Sequence, residues 1–479
     1  MTTLHLPIDR SAGGPIHRQI YEALRRAILN GLLRPGQKVP STRALASDLD
    51  VSRQPVLAAY EQLLHEGYLD GRHGSGTFVS AALPEDLLQT RAPRGTDPRT
   101  GSECQVPGSQ PIARDDGGLR PFRMSLPALD VFPHALWTRM VAKHARASTQ
   151  AEMAYGDPAG LMPLRTAIAE HLRASRAVNC EADQVLIVSG SQAALRLATT
   201  VLLQRGDRVA MEEPGYPGAR AALSAGGVQL AHVPVDEEGM SANALRKLRG
   251  RVRAAYLTPS HQYPLGTTMT AARRLALLDW AQQKDAYLLE DDYDSEYRYV
   301  SRPLAALQSM DTHERVIYIG TFSKVLFPAV RVGYLVVPPK LGQPFVKARL
   351  AFDLFSPTLY QLALTEFLRD GHFARHLRRM RGIYLARRGA LLSGLERHCA
   401  GHLTVFNADA GLHVAVQLSH ELDDRDFVRR MSARGLTATA LSSCYAGPGA
   451  RHGLLLGFGG ADERRLLDAT RLLGEVLRE

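Results

Sequence analysis

Cysteine is scarce in this chain. Cys104, Cys180, Cys399 and Cys444 are the only four among 479 residues, and no two of them make a CxxC pair. That scatter argues against a disulfide framework and indicates no zinc site, so the expected metal content is none. Long apolar runs are missing too. No stretch approaches the roughly 18–20 apolar residues that a membrane span requires, and the opening "MTTLHLPIDRSAGG" lacks the apolar segment of a secretory signal. The expectation is a cytoplasmic protein with reduced thiols and no membrane partner. A concentrated positive charge is also absent from the place where it would be most informative. The net charge is +10, yet the first eighty residues carry only +2, and +8 falls after residue 124. Bulk charge is therefore weak evidence for nucleic-acid binding, which has to rest on motif. What is present is 45% hydrophobic and 22% charged residues, a balance that fits a globular protein with large buried cores. A chain of 479 residues is expected to hold two or more domains.

Three segments follow from pattern. Between Pro15 and Asn30, Ile16, Ile20, Leu24, Ala27 and Ile28 recur at helical spacing. Gly31, Pro35 and Gly36 then end that helix. Ser41 is placed to cap a short second helix, and Ser52 a third, with Pro55 tolerated in its first turn. The inner face of the third helix reads as Val56, Tyr60, Leu63 and Leu64. "GYLDGRHGSGTFV" reads as two short strands around a glycine-rich tip, completing a winged helix-turn-helix over residues 12–80. Residues 81–124 are rich in Pro, Gly, Ser and charge without periodicity, and read as a flexible linker. From residue 125 to 479, "QVLIVSG", "DRVAMEE", "AAYLTPS", "AYLLEDD", "RVIYIG" and "VGYLVVP" alternate with helical stretches. This predicts an α/β domain with a mainly parallel sheet. From about Pro357, helices mixed with strands such as "LHVAVQL" suggest a smaller C-terminal α/β subdomain.

The third helix presents Ser52, Arg53 and Gln54 at its N-terminal end, where a recognition helix meets bases and phosphates. Arg53 suits guanine and Gln54 adenine. The segment Pro15–Val79, and above all "GLLRPGQKVPSTRALASDLDVSRQPVLAAYEQLLHEGYL", resembles the winged-helix domain of the GntR family of bacterial regulators. That resemblance implies a double-stranded DNA operator as partner, a phosphate contact from Arg43, and a wing contact from His73 and Gly74.

In "GTFSKVLFPAVRVGY", residues 320–334, Lys324 stands among Thr321, Phe322, Ser323 and Val325. An exposed helix would surround it with other charges, so this reads as a strand end leading into a pocket. The region from Ser125 onward resembles the fold-type I aminotransferases, and the whole chain resembles the MocR subfamily, in which a GntR-type winged helix precedes an aminotransferase-like domain. The resemblance implies pyridoxal 5′-phosphate (PLP) as cofactor. PLP requires an amine, an acid for its ring nitrogen, a phosphate seat and a stacking surface. Lys324 is the implied Schiff-base amine. Asp291 in "LLEDDYDSEY" is the implied ring-nitrogen partner, with Glu290 as the other possible register, and Tyr293 the donor to the ring hydroxyl. For the phosphate, "VSGSQAAL" turns from strand to helix so that the amides of Ser191 and Gln192 face an anion. Thr321 and Ser323 add hydroxyls, and Arg331 adds charge. Tyr216 is matched to the aromatic against the ring. Tyr263 stands where aminotransferases usually place an asparagine.

A second departure bears on activity. Aminotransferases commonly hold the substrate α-carboxylate with an arginine that aligns here with Leu455; Arg451 is four residues away. Three readings stay open: a transcriptional regulator sensing an amine or amino-acid effector, a sensor of PLP itself, and an active aminotransferase with an appended DNA-binding domain. Because fold-type I sites lie at subunit interfaces, the resemblance also implies a homodimer.

Overall fold

Apolar residues at helical spacing build the first part of the chain. In a computed structural model that describes residues 14–72, 75–83, 119–299, 304–419 and 422–479, these residues form α1 (Ile16–Leu29), α2 (Thr42–Asp48) and α3 (Arg53–His65). The hairpin β1 (Leu69–Arg72) and β2 (Gly76–Val79) follows, paired antiparallel. Helix α1 buries Ile20, Ala23, Leu24, Ala27 and Ile28. Helix α3 buries Val56, Ala59, Tyr60 and Leu63, the i, i+3, i+4, i+7 set of one helical face. Leu64, expected on that face, is 38% exposed, and Ala59 fills the inner position instead. Ser41 caps α2 by accepting from the Ala44 N–H at 3.2 Å. Ser52 occupies the corresponding position before α3 but makes no capping bond. The third residue of α3 is Pro55, which has no N–H to give it.

The chain divides into two units, Met1–Cys104 and Gln105–Glu479. An eight-stranded sheet organises the second, in the order β3-β10-β9-β8-β7-β4-β5-β6. All six strand-like runs form strands: β3 (Val185–Val188), β4 (Arg208–Glu213), β7 (Val252–Leu257), β8 (Tyr287–Asp292), β9 (Val316–Thr321) and β10 (Gly333–Val336). Two more, β5 (Gln229–Asp236) and β6 (Gly239–Met240), escaped the sequence reading. Their residues mix His, Pro and Asp with apolar positions, as an edge permits. Strands β5, β4, β7, β8 and β9 run parallel, whereas β10 is antiparallel to both β3 and β9. Side chains alternate across the sheet: Val185 and Ile187 join one buried cluster, Leu186 and Val188 another.

A smaller antiparallel sheet, β11 (Leu403–Val405), β12 (His413–Leu418), β14 (Gly453–Gly457) and β13 (Thr439–Ala440), forms the expected C-terminal subdomain. The expected linker is shorter at its end than its composition suggested. Residues 84–118 lie outside the described residues, but Phe122 is buried, pairs with Gly457, and accepts the Gly457 N–H on its carbonyl. One apolar side chain with a strand edge to pair against is enough to hold this stretch on the second unit.

Three glycines let strand ends converge where β3, β9 and β10 meet. A Cβ on Gly333 would stand 2.8 Å from Gly190 Cα and 3.0 Å from the Gly320 carbonyl oxygen. Gly333→Ala is therefore expected to push the turn at Gly190 aside and to destabilise the protein by about 1–3 kcal/mol, read from urea unfolding. An unchanged midpoint would show that the turn yields at no cost.

Candidate functional site

Parallel strands deliver their C-terminal ends to one edge of the sheet, and in such sheets the crevice outside that edge is where ligands bind. Here that crevice is a cavity of about 280 Å³. Its lining includes every residue proposed from sequence for the cofactor: Ser191, Gln192, Tyr216, Tyr263, Asp291, Tyr293, Thr321, Ser323, Lys324 and Arg331. These ten come from six separate chain segments.

Strand parity settles which acid faces the cavity. Successive side chains of β8 point to opposite faces, so Asp291 enters the cavity while Glu290 and Asp292 face away. Glu290 accepts the backbone N–H groups of Leu307 and Gln308 at 2.8 and 2.9 Å. Asp292 pairs with buried Arg176 at 2.8 Å and accepts the Tyr318 hydroxyl at 2.6 Å. Asp291 Oδ2 accepts the Tyr256 hydroxyl at 2.8 Å, whereas its buried Oδ1 has no hydrogen-bond partner. Burial pushes the Asp291 carboxyl up to about 7, against the opposing effect of Tyr256. An unpaired buried acceptor is costly, and a cationic N–H donor would satisfy it.

Lys324 follows β9 and is partly buried. Burial lowers its ammonium to about 8, against the attraction of Asp294 and Asp291 and with repulsion from Arg331. Roughly a tenth of it is therefore the neutral, nucleophilic amine at about pH 7, far more than for an ordinary lysine. Its Nζ donates to the Ser125 carbonyl at 3.1 Å.

At the other end of the cavity, Gly190 (φ +113°) precedes the helix Ser191–Leu202, whose first N–H groups lack intrahelical partners. The Arg331 guanidinium lies over this turn. A Cβ on Gly190 would be 3.4 Å from both Nη1 and Nη2, so glycine leaves the cradle open. Arg331 itself adopts a left-handed backbone (φ +48°) after a short 3₁₀ turn. Helix N-terminus, glycine turn, hydroxyls and guanidinium together make an anion seat. The Tyr216 and Tyr263 rings meet edge to face with centroids 5.3 Å apart. With amine, orphaned carboxylate oxygen, aromatic wall and anion seat around one small cavity, the residues present fit PLP.

Leu455 is fully buried in β14, packed with Leu265, Ala415, Leu441 and Cys444, with Tyr263 against the same cluster. Arg451 does not line the cavity. It lines a separate open cleft of about 880 Å³ with Asp236, Glu237 and Glu238. Among the described residues, Lys324 and Arg331 are the cationic side chains of the cavity. Sequence reasoning missed Ser125, Gly190, Tyr256, Thr258 and Pro328, which also line it. Tyr256 and Thr258 could have been found, because they alternate at the end of β7 toward the same edge as Asp291.

On the first unit, Arg43, Ser52, Arg53 and Gln54 are exposed. Arg53 Nε donates to Thr42 Oγ1 at 3.1 Å, which ties the start of α3 to the start of α2. His73 and Gly74 lie outside the described residues. Lys38 and Arg72 were not foreseen. They flank the hairpin with their cations 5.8 and 4.7 Å from the Phe78 ring centroid.

Residues 16–79 match the family of bacterial regulatory proteins, gntR family, and residues 131–452 match aminotransferase class I and II, a family whose members bind PLP. The probable rhizopine catabolism regulatory protein MocR of Rhizobium meliloti is 39% identical over 470 residues, spanning 98% of this chain and 95% of that protein. The pyridoxine biosynthesis transcriptional regulator PdxR of Corynebacterium glutamicum is 36% identical, spanning 96% of each chain. Among solved structures, the α-aminoadipate aminotransferase LysN of Thermus thermophilus, complexed with N-(5′-phosphopyridoxyl)-L-leucine, is 30% identical. It superposes with a TM-score of 0.70 over 74% of this chain and 91% of its own. With both matches in this order and regulators of the same architecture aligned along nearly the whole length, the chain belongs to the MocR-type branch of the GntR family of transcriptional regulators.

Proposed function

We propose that this protein is a DNA-binding transcriptional regulator that binds PLP in its aminotransferase-like domain and responds to an amine or amino-acid effector, or to PLP itself. The observation that carries the reading is the meeting of Lys324, the unpaired Asp291 Oδ1 and the Arg331–Gly190 anion seat in one cavity. Lys324 is the amine that would hold the cofactor, Asp291 the acid for its ring nitrogen, and Tyr293 the donor to its ring oxygen. Ser191, Gln192, Thr321, Ser323 and Arg331 would hold the phosphate, while Tyr216 and Tyr263 wall the ring. When bound, PLP supplies an aldehyde that condenses with amines.

Lys324 offers a route from pocket to DNA-binding domain. As a free amine it donates to the Ser125 carbonyl; an amine committed to an aldehyde loses hydrogens and cannot keep that bond unchanged. Ser125 closes the stretch Leu119–Met124, which follows residues 84–118 and, through them, the winged helix. Occupancy at Lys324 thus bears on the segment that leads to the DNA-reading unit, a differential contact of the kind that shifts a conformational equilibrium.

A homodimer acting in the cytoplasm completes the proposal. Met153 is 78% and Tyr155 85% exposed, and Tyr155 meets Phe355 edge to face beside exposed Leu354 and Phe352. Apolar side chains gathered this way on a surface are typical of interaction sites, and the proposed occupant is a second copy of the chain. Two winged helices on one dimer could then engage two half-sites.

The aminotransferase reading draws on the same partly neutral Lys324, but Leu455 in the core leaves no arginine at the carboxylate position. PLP-soaked protein is expected to develop a visible absorbance band that Lys324→Ala abolishes, and to give no product at an enzymatic rate from an amino acid and a keto acid. An unchanged spectrum in the variant removes Lys324 from its role, and steady turnover establishes the enzyme instead. At the DNA-reading end, Arg53→Ala is expected to weaken operator binding by about 1–3 kcal/mol in a titration; an unaltered isotherm would assign the reading to another side chain.

Asp291 makes a linked prediction. A carboxyl whose pKa folding raises holds more protons folded than unfolded, so it lowers stability as pH climbs from the ordinary carboxylate range through about 7. Glu212 and Glu290 are raised to about 7 by burial as well, so Asp291→Asn removes part of that loss. The PLP-free variant should melt above the parent at about pH 8 but not at about pH 4, and should bind PLP more weakly. Equal melting at both values would mean that Asp291 carries no such cost.

A further inference from the structure

Behind the cavity wall sits a buried pair that the cofactor reading leaves unused. His261 Nδ1 lies 2.9 Å from Asp294 Oδ1 and 3.0 Å from the Tyr293 hydroxyl oxygen. Both side chains of the pair are 2% exposed. Gly411 (φ +76°) closes over them: a Cβ there would collide with His261 Cε1 and stand 2.6 Å from Asp294 Oδ2. On the far side, His413 approaches His261 with ring centroids 5.3 Å apart, and its Nε2 lies 3.1 Å from the Pro264 carbonyl. Burial pushes His413 down to about 4, which leaves that ring neutral.

One imidazole nitrogen in the ring plane has either a hydrogen or a lone pair. Two groups compete for His261 Nδ1. Asp294, as a carboxylate, can only accept, so the 2.9 Å contact requires a hydrogen on Nδ1. Nδ1 then cannot accept from Tyr293. Among the described residues His261 is the hydrogen-bond partner of the Tyr293 hydroxyl, so the phenolic hydrogen is free to turn into the cavity that Tyr293 lines. Burial also raises Tyr293 well above the ordinary range for tyrosine, which keeps that hydrogen in place.

We propose that His261 and Asp294 are positioning residues that hold Nδ1 protonated and so fix the Tyr293 hydroxyl as a hydrogen-bond donor into the cavity, toward an anionic ring oxygen on the bound ligand. The inference rests on the proposed function for the identity of that ligand, whose ring hydroxyl has this chemistry. It does not rest on it for the tautomer. In Asp294→Asn, the amide can donate to Nδ1, the imidazole hydrogen moves to Nε2, and Nδ1 becomes an acceptor that competes for the Tyr293 hydrogen. The volume of the side chain is unchanged. The same logic applies where an Asp-to-Asn change leaves a catalytic His in the wrong tautomer.

Two measurements on the full chain test this. Nitrogen-15 NMR of histidine-labelled, PLP-free protein, with His261 assigned by its loss in His261→Gln, should show a protonated Nδ1 in the parent and a protonated Nε2 in Asp294→Asn. An unprotonated Nδ1 in the parent overturns the inference, whether or not the protein binds PLP. Titration with PLP should show affinity about tenfold weaker in Asp294→Asn and in Tyr293→Phe, the loss expected for one hydrogen bond. The double variant should be no weaker than Tyr293→Phe alone, because a contribution routed through Tyr293 is not lost twice. Losses that multiply, or an Asp294→Asn protein of undiminished affinity, overturn it. His261→Asn, whose amide nitrogen is bonded to Cγ as Nδ1 is and can only donate to Asp294, should bind PLP more tightly than Asp294→Asn; equal weakening would assign the pair a purely structural role. A parent protein that takes up no PLP sinks the cofactor reading alone, and the NMR result still decides the tautomer.

Discussion

Removing an ammonium and a carboxylate from water at the end of a parallel sheet is the constraint on which the rest of this structure depends. Lys324 and Asp291 each have the charged form disfavoured by burial, and neither is neutralised by a direct ion pair with the other. A domain selected only for stability would fill such a cavity with apolar side chains or pair the charges closely. This one keeps an amine partly neutral and a carboxylate oxygen without a partner. Features elsewhere serve that arrangement: Tyr256 orients Asp291, Arg176 neutralises Asp292 on the opposite face, and β10 reverses direction so that Arg331 returns to the helix N-terminus at Gly190.

Among the described residues, the cations of the same cavity are Lys324 and Arg331. Leu455 has been absorbed into the core beneath Tyr263, and Arg451 faces another cleft. An aminotransferase that must orient an amino acid for proton removal gains from fixing its carboxylate. A regulator needs only that occupancy of Lys324 alter something the DNA-binding unit feels. The hydrogen bond from Lys324 to Ser125 joins the cavity amine to the described stretch that opens at Leu119.

Much of the candidate site was legible because its chemistry demands particular residue types at strand ends. A lysine in "TFSK", an acid and a tyrosine in "EDDYD", and a glycine turn before a helix each announce themselves locally. The register of the acid was not legible, since Glu290, Asp291 and Asp292 are equivalent as composition and differ only in the face of β8 they occupy. Phe122 was read as linker because the strand edge at Gly457 that holds it lies over 300 residues away. His261 and Asp294 stayed silent for a related reason. A histidine and an aspartate more than thirty residues apart acquire meaning only when a turn and a strand end bring them to a shared nitrogen.

The linear chain by itself determined the order of winged helix before α/β domain, Arg53 at the head of the third helix, the alternation of strands and helices, and the types of group available to a cofactor. Local periodicity and turn chemistry suffice for these, because each depends on neighbours a few residues apart. The folded sheet alone decided which acid enters the cavity, that Leu455 is core, that Arg451 points elsewhere, and that Lys324 reaches Ser125. Those outcomes depend on strand parity and on contacts between segments far apart in the chain. No local pattern encodes them, because burial of a side chain is a property of the packed interior rather than of the residues beside it.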